Sequence, residues 1–168
     1  MVVSRVTTTH GLSPIARVDA VILILGTMPG KASLRAEQYY AHGGNVFWKL
    51  VASILSFDAS SDYDERVNRL IAARIAVWDV LKLCTREGSL DSDIVNPVAN
   101  DFGEFFTVHP QIRRVCFNGA KAADLYKEHV REKVTKSLEY VPLPSTSPAN
   151  ASVPFAAKRE AWAAALQH

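Results

Sequence analysis

The sequence predicts one α/β domain over residues 1–168, a three-layer sandwich in which helices flank a central, mainly parallel four-stranded sheet. Apolar runs typical of strands alternate along the chain with segments whose apolar residues recur at helical spacing. The run over residues 18–25 is aliphatic almost throughout, as in strands buried on both faces of a parallel sheet. Such alternation is typical of strand–helix–strand units with right-handed crossovers. No internal repeat or low-complexity segment indicates a second domain.

Four strands are predicted, each from an apolar run that ends in small or polar residues. They span residues 18–25, 75–81, 115–117 and 138–143. A polar loop over residues 86–92 follows the second strand, and Asn118 and Gly119 stop the third. Residues 1–12 are largely polar and are predicted to form an N-terminal arm that is strand-like or loose.

Five helices are predicted from apolar residues spaced three and four apart. They span residues 46–56, 62–73, 102–108, 120–130 and 153–166. The first of them has the clearest apolar face, formed by Phe47, Leu50, Val51, Ile54 and Leu55. Pro154 falls in the first turn of the last helix, where a missing N–H leaves no helical hydrogen bond unmade.

The composition is that of an ordinary globular domain, with 48% hydrophobic and 21% charged residues and a formal net charge of +2. A net charge this small gives no overall signature of a nucleic-acid binder. Several basic residues lie near predicted strand ends or helix starts, either scattered over the surface or gathered on one face. They are Lys31, Arg35, Lys49, Arg113, Arg114, Lys121, Lys158 and Arg159.

The cysteine content argues against a metal centre or a disulfide framework. Cys84 and Cys116 lie in or beside apolar runs and have no Cys or His partner at metal-ligand spacing. We expect two reduced cysteines and no metal or other cofactor. The N-terminus lacks a signal-peptide pattern, and no apolar run approaches the roughly 20 residues that span a bilayer. We therefore expect a cytoplasmic monomer without a membrane partner.

Two loops, each following a predicted strand, are the first candidates for a binding site. Residues 26–30 read Gly-Thr-Met-Pro-Gly, and residues 143–150 read Leu-Pro-Ser-Thr-Ser-Pro-Ala-Asn. Ligands of open parallel sheets bind outside the carboxyl ends of the strands, so the two loops would clamp a long substrate between them. The first loop matches neither a Walker loop nor a dinucleotide fingerprint. The alternative for the second is an ordinary turn before the last helix, with Ser152 as its N-cap.

A third candidate is the aromatic segment over residues 38–48, Gln-Tyr-Tyr-Ala-His-Gly-Gly-Asn-Val-Phe-Trp. Aromatic side chains beside glycine-rich backbone can form a stacking platform for a planar base. Phe47 and Trp48 begin a helix and are expected in the core. Either Tyr39 or Tyr40 is then available to a ligand. Two further residues keep two interpretations each: His42 caps the backbone or takes part in catalysis, and Asn45 is a helix N-cap or positions a water.

These segments resemble the motifs of the uracil-DNA glycosylase superfamily, in the same order and over nearly the whole chain. Residues 40–49 resemble the Phe-Ala-His-Pro-x-Asn-x-Phe-Trp-Lys motif of mismatch-specific uracil-DNA glycosylases. Two departures separate the chain from that branch. Met28 stands where the mismatch branch has an Asn that activates water and the uracil-specific branch an Asp, and Gly43 replaces the usual Pro.

The hypoxanthine-DNA glycosylase branch is the most similar. Its pattern resembles Gly-Ser/Thr-x-Pro-Gly, Gln-Tyr-Tyr-Ala-His-x-x-Asn-x-Phe-Trp, Arg-x-Gly-Ser-Leu-Asp, Phe-Asn-Gly and Leu-Pro-Ser-Thr-Ser-Pro-Ala. This chain has the last three at residues 86–91, 117–119 and 143–149. The catalytic Asn of that branch lies in the segment that matches Asn45.

The resemblance implies a DNA repair enzyme that binds double-stranded DNA, flips out a deaminated base, hypoxanthine by preference, and hydrolyses its N-glycosidic bond. Asn45 would position the water, and no matched catalytic segment holds a lysine for a Schiff base, so the product is an abasic site. An amide is a poor base, so stabilisation of the leaving base must supply most of the acceleration. The implied base-binding residues are Gly26, Thr27, Met28, Pro29, Tyr40, Asp79 and Asn118.

The resemblance also implies a set of DNA contacts, most of them in the second loop. They are His42, Ser145, Thr146, Ser147, Pro148 and Ala149. Relatives often insert a bulky Leu from this loop into the position that the base has left, and Ala149 is the nearest match here. The serine and threonine hydroxyls and N–H groups are expected on DNA phosphates.

Three other functions remain open from the sequence. The first is a uracil or mixed-specificity glycosylase of the same superfamily. The second is a DNA- or nucleotide-binding module of the same fold without catalysis, which Met28 favours. The third, a small-molecule phosphate-binding enzyme, lacks a phosphate motif.

Overall fold

The computed structural model describes residues 8–168 and contains two sheets. A four-stranded sheet has the strand order β3-β2-β6-β7 with every neighbouring pair parallel, and a three-stranded antiparallel sheet has the order β1-β4-β5. The strands are β1 (Thr8–His10), β2 (Ile22–Gly26), β3 (Ile75–Asp79), β4 (Leu81–Thr85), β5 (Val95–Ala99), β6 (Arg114–Asn118) and β7 (Glu139–Leu143).

Helices cover the parallel sheet. They are α1 (Lys31–Ala36), α2 (Phe47–Leu55), α3 (Tyr63–Ala72), α4 (Phe102–Val108), α5 (Ala120–His129) and α6 (Phe155–Ala165). Short 3-10 turns lie at Asp91–Asp93, Arg131–Lys133 and Pro148–Asn150. No helix within residues 8–168 combines the length and apolar character that crossing a bilayer requires.

Strand β2 divides the core into two layers. Leu23 and Leu25 belong to one hydrophobic cluster, Ile22 and Ile24 to the other, and all four side chains are fully buried. Alternating residues of a strand point to opposite faces of the sheet, so both faces are packed. The predicted three-layer α/β sandwich with a central parallel sheet is confirmed.

The first strand begins later than predicted. Val18 is 61% exposed and lies in a turn with Asp19. The Arg17 guanidinium forms an ion pair with the Asp19 carboxylate at 2.7 Å, and it is exposed. The aliphatic run in the sequence therefore includes a solvent-facing turn before the strand.

The predicted strand over residues 75–81 is two strands in two different sheets. The chain leaves the parallel sheet at Val80, whose N–H donates to the Gly26 carbonyl at 2.8 Å, and Leu81 then starts β4. Strand β4 pairs with β1 through Thr9 and Cys84, and on its other side with β5. The antiparallel sheet and the short helix α1 are absent from the sequence prediction. Of the predicted N-terminal arm, Thr8–His10 is a strand, and residues 1–7 lie outside the described part.

Strand register brings four residues to one edge of the parallel sheet. Gly26 pairs with Asp79 between β2 and β3, and Asn118 pairs with Leu143 between β6 and β7. Each is the last residue of its strand. The loops that follow β2, β6 and β7 therefore begin at the same edge.

Candidate active site

A cleft of about 860 Å³ lies at this carboxyl edge. Every site residue named from the sequence lines it, including both predicted loops and the aromatic segment. They are Gly26, Thr27, Met28, Pro29, Tyr40, His42, Asn45, Asp79, Asn118, Ser145, Thr146, Ser147, Pro148 and Ala149. Residues from five separate stretches of the chain thus meet around one cavity.

The floor of the cleft contains Asp79, Tyr40 and the bare Cα of Gly26. A Cβ on Gly26 would lie 2.5 Å from Asp79 Oδ1 and 2.9 Å from the Tyr40 hydroxyl oxygen. The Tyr40 hydroxyl and Asp79 Oδ2 are buried, and neither has a hydrogen-bond partner among the described residues. Buried polar atoms are nearly always paired, so the two groups mark a place where a polar ligand or water binds.

The environment of Asp79 favours its neutral form. Burial, and next the Asp91 carboxylate, raise the pKa of Asp79 to about 7, against the opposing charge of Arg86. Arg86 is itself 8% exposed; its Nη2 donates to the Pro29 carbonyl, while Nε and Nη1 have no partner in the described part. Near neutral pH the Asp79 carboxyl is therefore partly protonated, and a protonated carboxyl can donate a hydrogen bond.

Of the two tyrosines, Tyr39 is buried in the core and Tyr40 is the more exposed. Tyr39 is 4% exposed and its hydroxyl donates to the Ser13 carbonyl at 2.8 Å, so it belongs to the core. Tyr40 is half-buried and has a left-handed φ of 55°, uncommon for a bulky residue. Its ring stacks on Phe47 at 4.0 Å between centroids. Phe47 and Trp48 are buried, as expected.

Asn45 lies at the cleft directly before Val46, which is the N-cap residue of α2, so the prediction that Asn45 is itself the N-cap misses by one residue. The side chain is half-buried at the cleft, and its Oδ1 accepts a hydrogen bond of 3.0 Å from the Phe47 N–H at the start of α2. Its own N–H donates to the His42 carbonyl at 2.9 Å. No hydrogen bond joins Asn45 Nδ2 to any described residue. The carboxamide is therefore fixed at the helix start while it lines the cleft.

His42 keeps one ring nitrogen available. The Gly44 N–H donates to His42 Nδ1 at 2.9 Å, so Nδ1 is the acceptor, and the proton of the neutral ring lies on Nε2. The side chain is exposed at the cleft. The capping interpretation therefore holds for Nδ1, and Nε2 can still donate to a ligand.

Thr146 connects three segments of the chain. It is 1% exposed; its N–H donates to Asn118 Oδ1 and its hydroxyl accepts from Asn118 Nδ2, both at 2.9 Å. Its carbonyl accepts from the Val46 N–H at 3.1 Å. This burial and these internal bonds argue against the predicted phosphate contact of Thr146, which stays a prediction. Asn118 uses its carbonyl oxygen and one N–H group on Thr146.

The rest of the second loop is held by internal hydrogen bonds. The Ser147 N–H donates to Ser145 Oγ at 3.1 Å, and the Trp162 indole of α6 donates to the Pro144 carbonyl at 2.9 Å. Pro148 and Ala149 are exposed. These two are therefore the most exposed side chains of the loop from residue 143 to residue 150.

The helix that follows the loop is not capped by Ser152. Pro154 is the N-cap residue of α6, without a side-chain capping bond. Lys158 of α6 is 3% exposed, and its ammonium group donates to the Asn150 carbonyl at 2.9 Å. This hydrogen bond connects the second loop to α6.

Glycines allow the loops to approach each other. Gly119 has a φ of 96°, and a Cβ there would lie 3.0 Å from Ser145 Cβ. A Cβ on Gly44 would lie 3.0 Å from Pro148 Cγ. The aromatic segment and the second loop thus meet at Gly44 and form one continuous wall.

Sequence reasoning from the residues alone missed one part of the cleft. Ser89, Leu90, Asp91 and Ser92 line it, as do Lys31 and Ser33 at the start of the chain's first helix. Without the family motif at residues 86–91, the sequence predicts only a polar loop over residues 86–92. Their polar composition resembles any surface loop, so no signal in spacing or hydropathy marks them.

Within residues 8–168, no cluster of three or more His, Cys, Asp or Glu side chains is arranged to hold a metal. Both cysteines, Cys84 and Cys116, are buried and free.

Comparison with known proteins places this fold and cleft in a family. The model of the uracil DNA glycosylase superfamily matches residues 14–166. A hypoxanthine DNA glycosylase from Methanosarcina acetivorans is 36% identical over 163 residues, which cover 95% of this chain and 98% of that protein. A hypoxanthine DNA glycosylase from Methanosarcina barkeri is 39% identical over 116 residues, 68% of this chain and 73% of that protein.

A solved structure has the same fold. It is the solution NMR structure of a Methanosarcina acetivorans protein assigned provisionally to the uracil DNA glycosylases, with a TM-score of 0.83 and 34% sequence identity. The match covers 96% of this chain and 98% of that one. The resemblance inferred from the motifs is therefore confirmed over the length of the domain. The chain, with its parallel sheet and its cleft at the carboxyl edge, belongs to the uracil DNA glycosylase superfamily.

Proposed function

We propose that this protein is a DNA glycosylase that releases hypoxanthine from double-stranded DNA and leaves an abasic site. One observation carries the proposal: two buried polar groups without partners, the Tyr40 hydroxyl and Asp79 Oδ2, face a cleft beside the bare Cα of Gly26. A planar base with polar edges fits such a floor. The relatives named hypoxanthine DNA glycosylase support the choice of base.

The target base leaves the duplex and enters the cleft. Enzymes that act on a base inside a duplex must extrude it, since its reacting bond is otherwise out of reach. Phe47 covers one face of the Tyr40 ring, so the base stacks on the opposite face. Stacking of this kind contributes about 1–3 kcal/mol per base.

Donors at the cleft floor match the acceptors of hypoxanthine. Its carbonyl oxygen, N3 and N7 accept hydrogen bonds, and its N1–H donates one. The N–H groups of Thr27 and Met28 donate to no acceptor among the described residues, and protonated Asp79 supplies another donor. Donors aimed at the base gain strength as negative charge builds on it during bond cleavage. Most of the acceleration comes from these groups.

Asn45 positions the attacking water. Its Oδ1 accepts from the Phe47 N–H, and its second lone pair accepts from a water at the sugar. The water oxygen bonds to C1′, the C1′–N bond breaks, and its electron pair leaves with the base. An amide does not remove the water proton efficiently, so the proton passes to solvent as the reaction completes. No covalent enzyme intermediate forms, so the product is a free base and an abasic site.

The test is single-turnover cleavage of labelled duplexes that contain one deoxyinosine, deoxyuridine or deoxyxanthosine. We expect alkali-sensitive breaks at inosine with wild type and a loss of at least about a hundredfold with Asn45→Ala, the size of effect that misplacement of a reacting group causes. Borohydride should trap no protein–DNA adduct. Gly43→Ala is the matched control, since a Cβ there meets no atom within 4 Å.

A uracil or mixed-specificity glycosylase is the second candidate. The buried, apolar Met28 side chain at the cleft does not select between a purine and a pyrimidine by hydrogen bonding. Release of uracil with inosine untouched would replace hypoxanthine in the proposal. Tight binding with no base released would leave a DNA-binding module. The hydrogen bond that Asn45 Oδ1 accepts from the Phe47 N–H favours this alternative.

A further inference from the structure

Leu90 is a large apolar side chain exposed at the candidate DNA site. It lines the cleft and is nevertheless 58% exposed. Single exposed apolar residues are common on protein surfaces and need no explanation by themselves. This one lies at a cavity that would hold an extruded nucleotide, so DNA bound there would contact it.

The backbone on both sides of Leu90 is anchored. Ser89 Oγ accepts a hydrogen bond of 3.0 Å from the Lys31 N–H. On the other side the 3-10 turn Asp91–Asp93 starts, and the Asp93 N–H donates to the Leu90 carbonyl at 3.1 Å. A Cβ on Gly30 would lie 3.5 Å from the Ser89 side chain, so this loop packs on the loop after β2. The protein therefore presents Leu90 from a fixed position.

The second loop lacks an equivalent side chain. Its exposed residues at the cleft are Pro148 and Ala149, and Pro148 packs against the aromatic segment at Gly44. Ala149 offers one methyl group. A flipped nucleotide leaves a gap in the base stack, and apolar side chains inserted at such steps stabilise the distorted duplex. A methyl group is too small to fill that gap.

Charges of both signs lie near Leu90. Asp91 and Asp93 follow it in the chain, and two lysines lie close to the same loop. Lys31 is exposed and lines the cleft next to Ser89. Burial raises the pKa of Asp91, and the nearby charges of Arg86 and Lys121 oppose this shift. Lys121 is exposed at the start of α5. A side chain that enters the base stack lies between two phosphate backbones. Cations beside it can contact those phosphates.

We propose that Leu90, and not Ala149, is the side chain that inserts into the DNA stack when the target nucleotide leaves it. The inference rests on the proposed glycosylase function. Leu90 acts by holding the duplex open, and it touches neither the reacting bond nor the base. Its contribution is therefore needed for duplex DNA and not for a single strand, in which no stack has to be opened.

The experiment compares wild type, Leu90→Ala, Leu90→Phe and Val108→Ala on inosine in duplex and in single-stranded DNA. Val108 is the matched control, since it is similarly exposed at 54% but does not line the cleft. We expect Leu90→Ala to slow duplex cleavage at least about tenfold, equivalent to about 1.4 kcal/mol, and to leave single-strand cleavage nearly unchanged. Leu90→Phe should keep most duplex activity, and Val108→Ala should match wild type.

A second readout separates this inference from the proposed function. With 2-aminopurine beside the inosine, wild type should raise the fluorescence on binding, and Leu90→Ala at saturation should not. If wild type cleaves inosine and Leu90→Ala matches it on duplex DNA, the inference is wrong and the glycosylase stands. Equal losses on both DNA forms would also overturn it, because they indicate damage to the protein. If wild type releases no base, the glycosylase fails, and the fluorescence still decides the role of Leu90.

Discussion

The side chain of Asn118 exchanges two hydrogen bonds of 2.9 Å with Thr146, one with its N–H and one with its hydroxyl. The pair ties the end of β6 to the loop after β7. The Thr146 carbonyl then accepts from the Val46 N–H, next to Asn45. The buried Thr146 therefore fixes the distance between the second loop and the segment that holds the candidate catalytic amide.

Thr146→Val should lower stability and activity together. The change keeps the shape but leaves the buried Asn118 Nδ2 without this acceptor, which costs about 1–3 kcal/mol of unfolding free energy. Denaturant unfolding measures that loss. Ser147→Val is the comparison: its hydroxyl accepts from the Ala149 N–H at an exposed site, so a smaller loss is expected. Equal losses for the two variants would contradict the assignment.

Asp79→Asn should stabilise the protein in a pH-dependent way. Because the folded-state pKa of Asp79 is raised to about 7 from an ordinary value of 3.8, the folded state holds a proton that the unfolded state releases between these values. The Asp79 contribution is therefore neutral below about pH 4 and increasingly unfavourable up to about pH 7. The stability advantage of the variant should grow over this window and then level off.

The measurement is the unfolding free energy of both proteins from about pH 4 to about pH 8, the range in which linkage acts. Asp91, Arg86 and Tyr40 face the same carboxyl, so Asp91→Asn is measured as well and should lower the apparent pKa of Asp79. Base release by wild type should decline above about pH 7 as the donor is lost. A difference between variant and wild type that does not vary with pH would refute a buried neutral carboxyl.

Gly26→Ala should damage the base pocket. The new methyl group would lie 2.5 Å from Asp79 Oδ1 and 2.9 Å from the Tyr40 oxygen, so both side chains must move. Overpacking of this kind costs about 1–3 kcal/mol, and base release should fall further than stability alone explains. Gly43→Ala, with no atom within 4 Å of the added Cβ, should retain the stability and the base release of wild type. Activity of Gly26→Ala near the wild-type level would place the base elsewhere.

Tyr40→Phe and Tyr40→Ala separate hydrogen bonding from stacking. The Tyr40 hydroxyl is buried without a partner among the described residues, so its removal should leave thermal stability unchanged or slightly higher. Its loss should weaken base release if the hydroxyl binds the base. Tyr40→Ala removes the ring that stacks on Phe47 and should reduce both thermal stability and base release. A Phe variant that is clearly less stable would mean that the hydroxyl is satisfied inside the free protein.

Helices whose apolar residues repeat within one short segment were predicted correctly from the sequence. The helix over residues 102–108 is α4 with the same bounds, and the helix over residues 46–56 is α2 within one residue at each end. Their apolar faces recur within one or two turns, so a single segment contains the signal. The run over residues 75–81 failed because an aliphatic pattern does not say which sheet a strand joins. That choice is made by Val80 and Leu81, which bond across to residues 26 and 27.

The sequence by itself determined the α/β sandwich, the superfamily and many of the residues that line the cleft, because strand ends and ordered motifs can be identified along the chain. Only the tertiary structure decided what each of those residues does. Thr146 is a buried connector, Asp79 is a buried carboxyl with a raised pKa, and Leu90 is an exposed apolar side chain at the cleft. These features depend on burial and on partners from other parts of the chain, such as Asn118 and Thr146, which are 28 residues apart. Neither burial nor such partners exist until distant segments pack together.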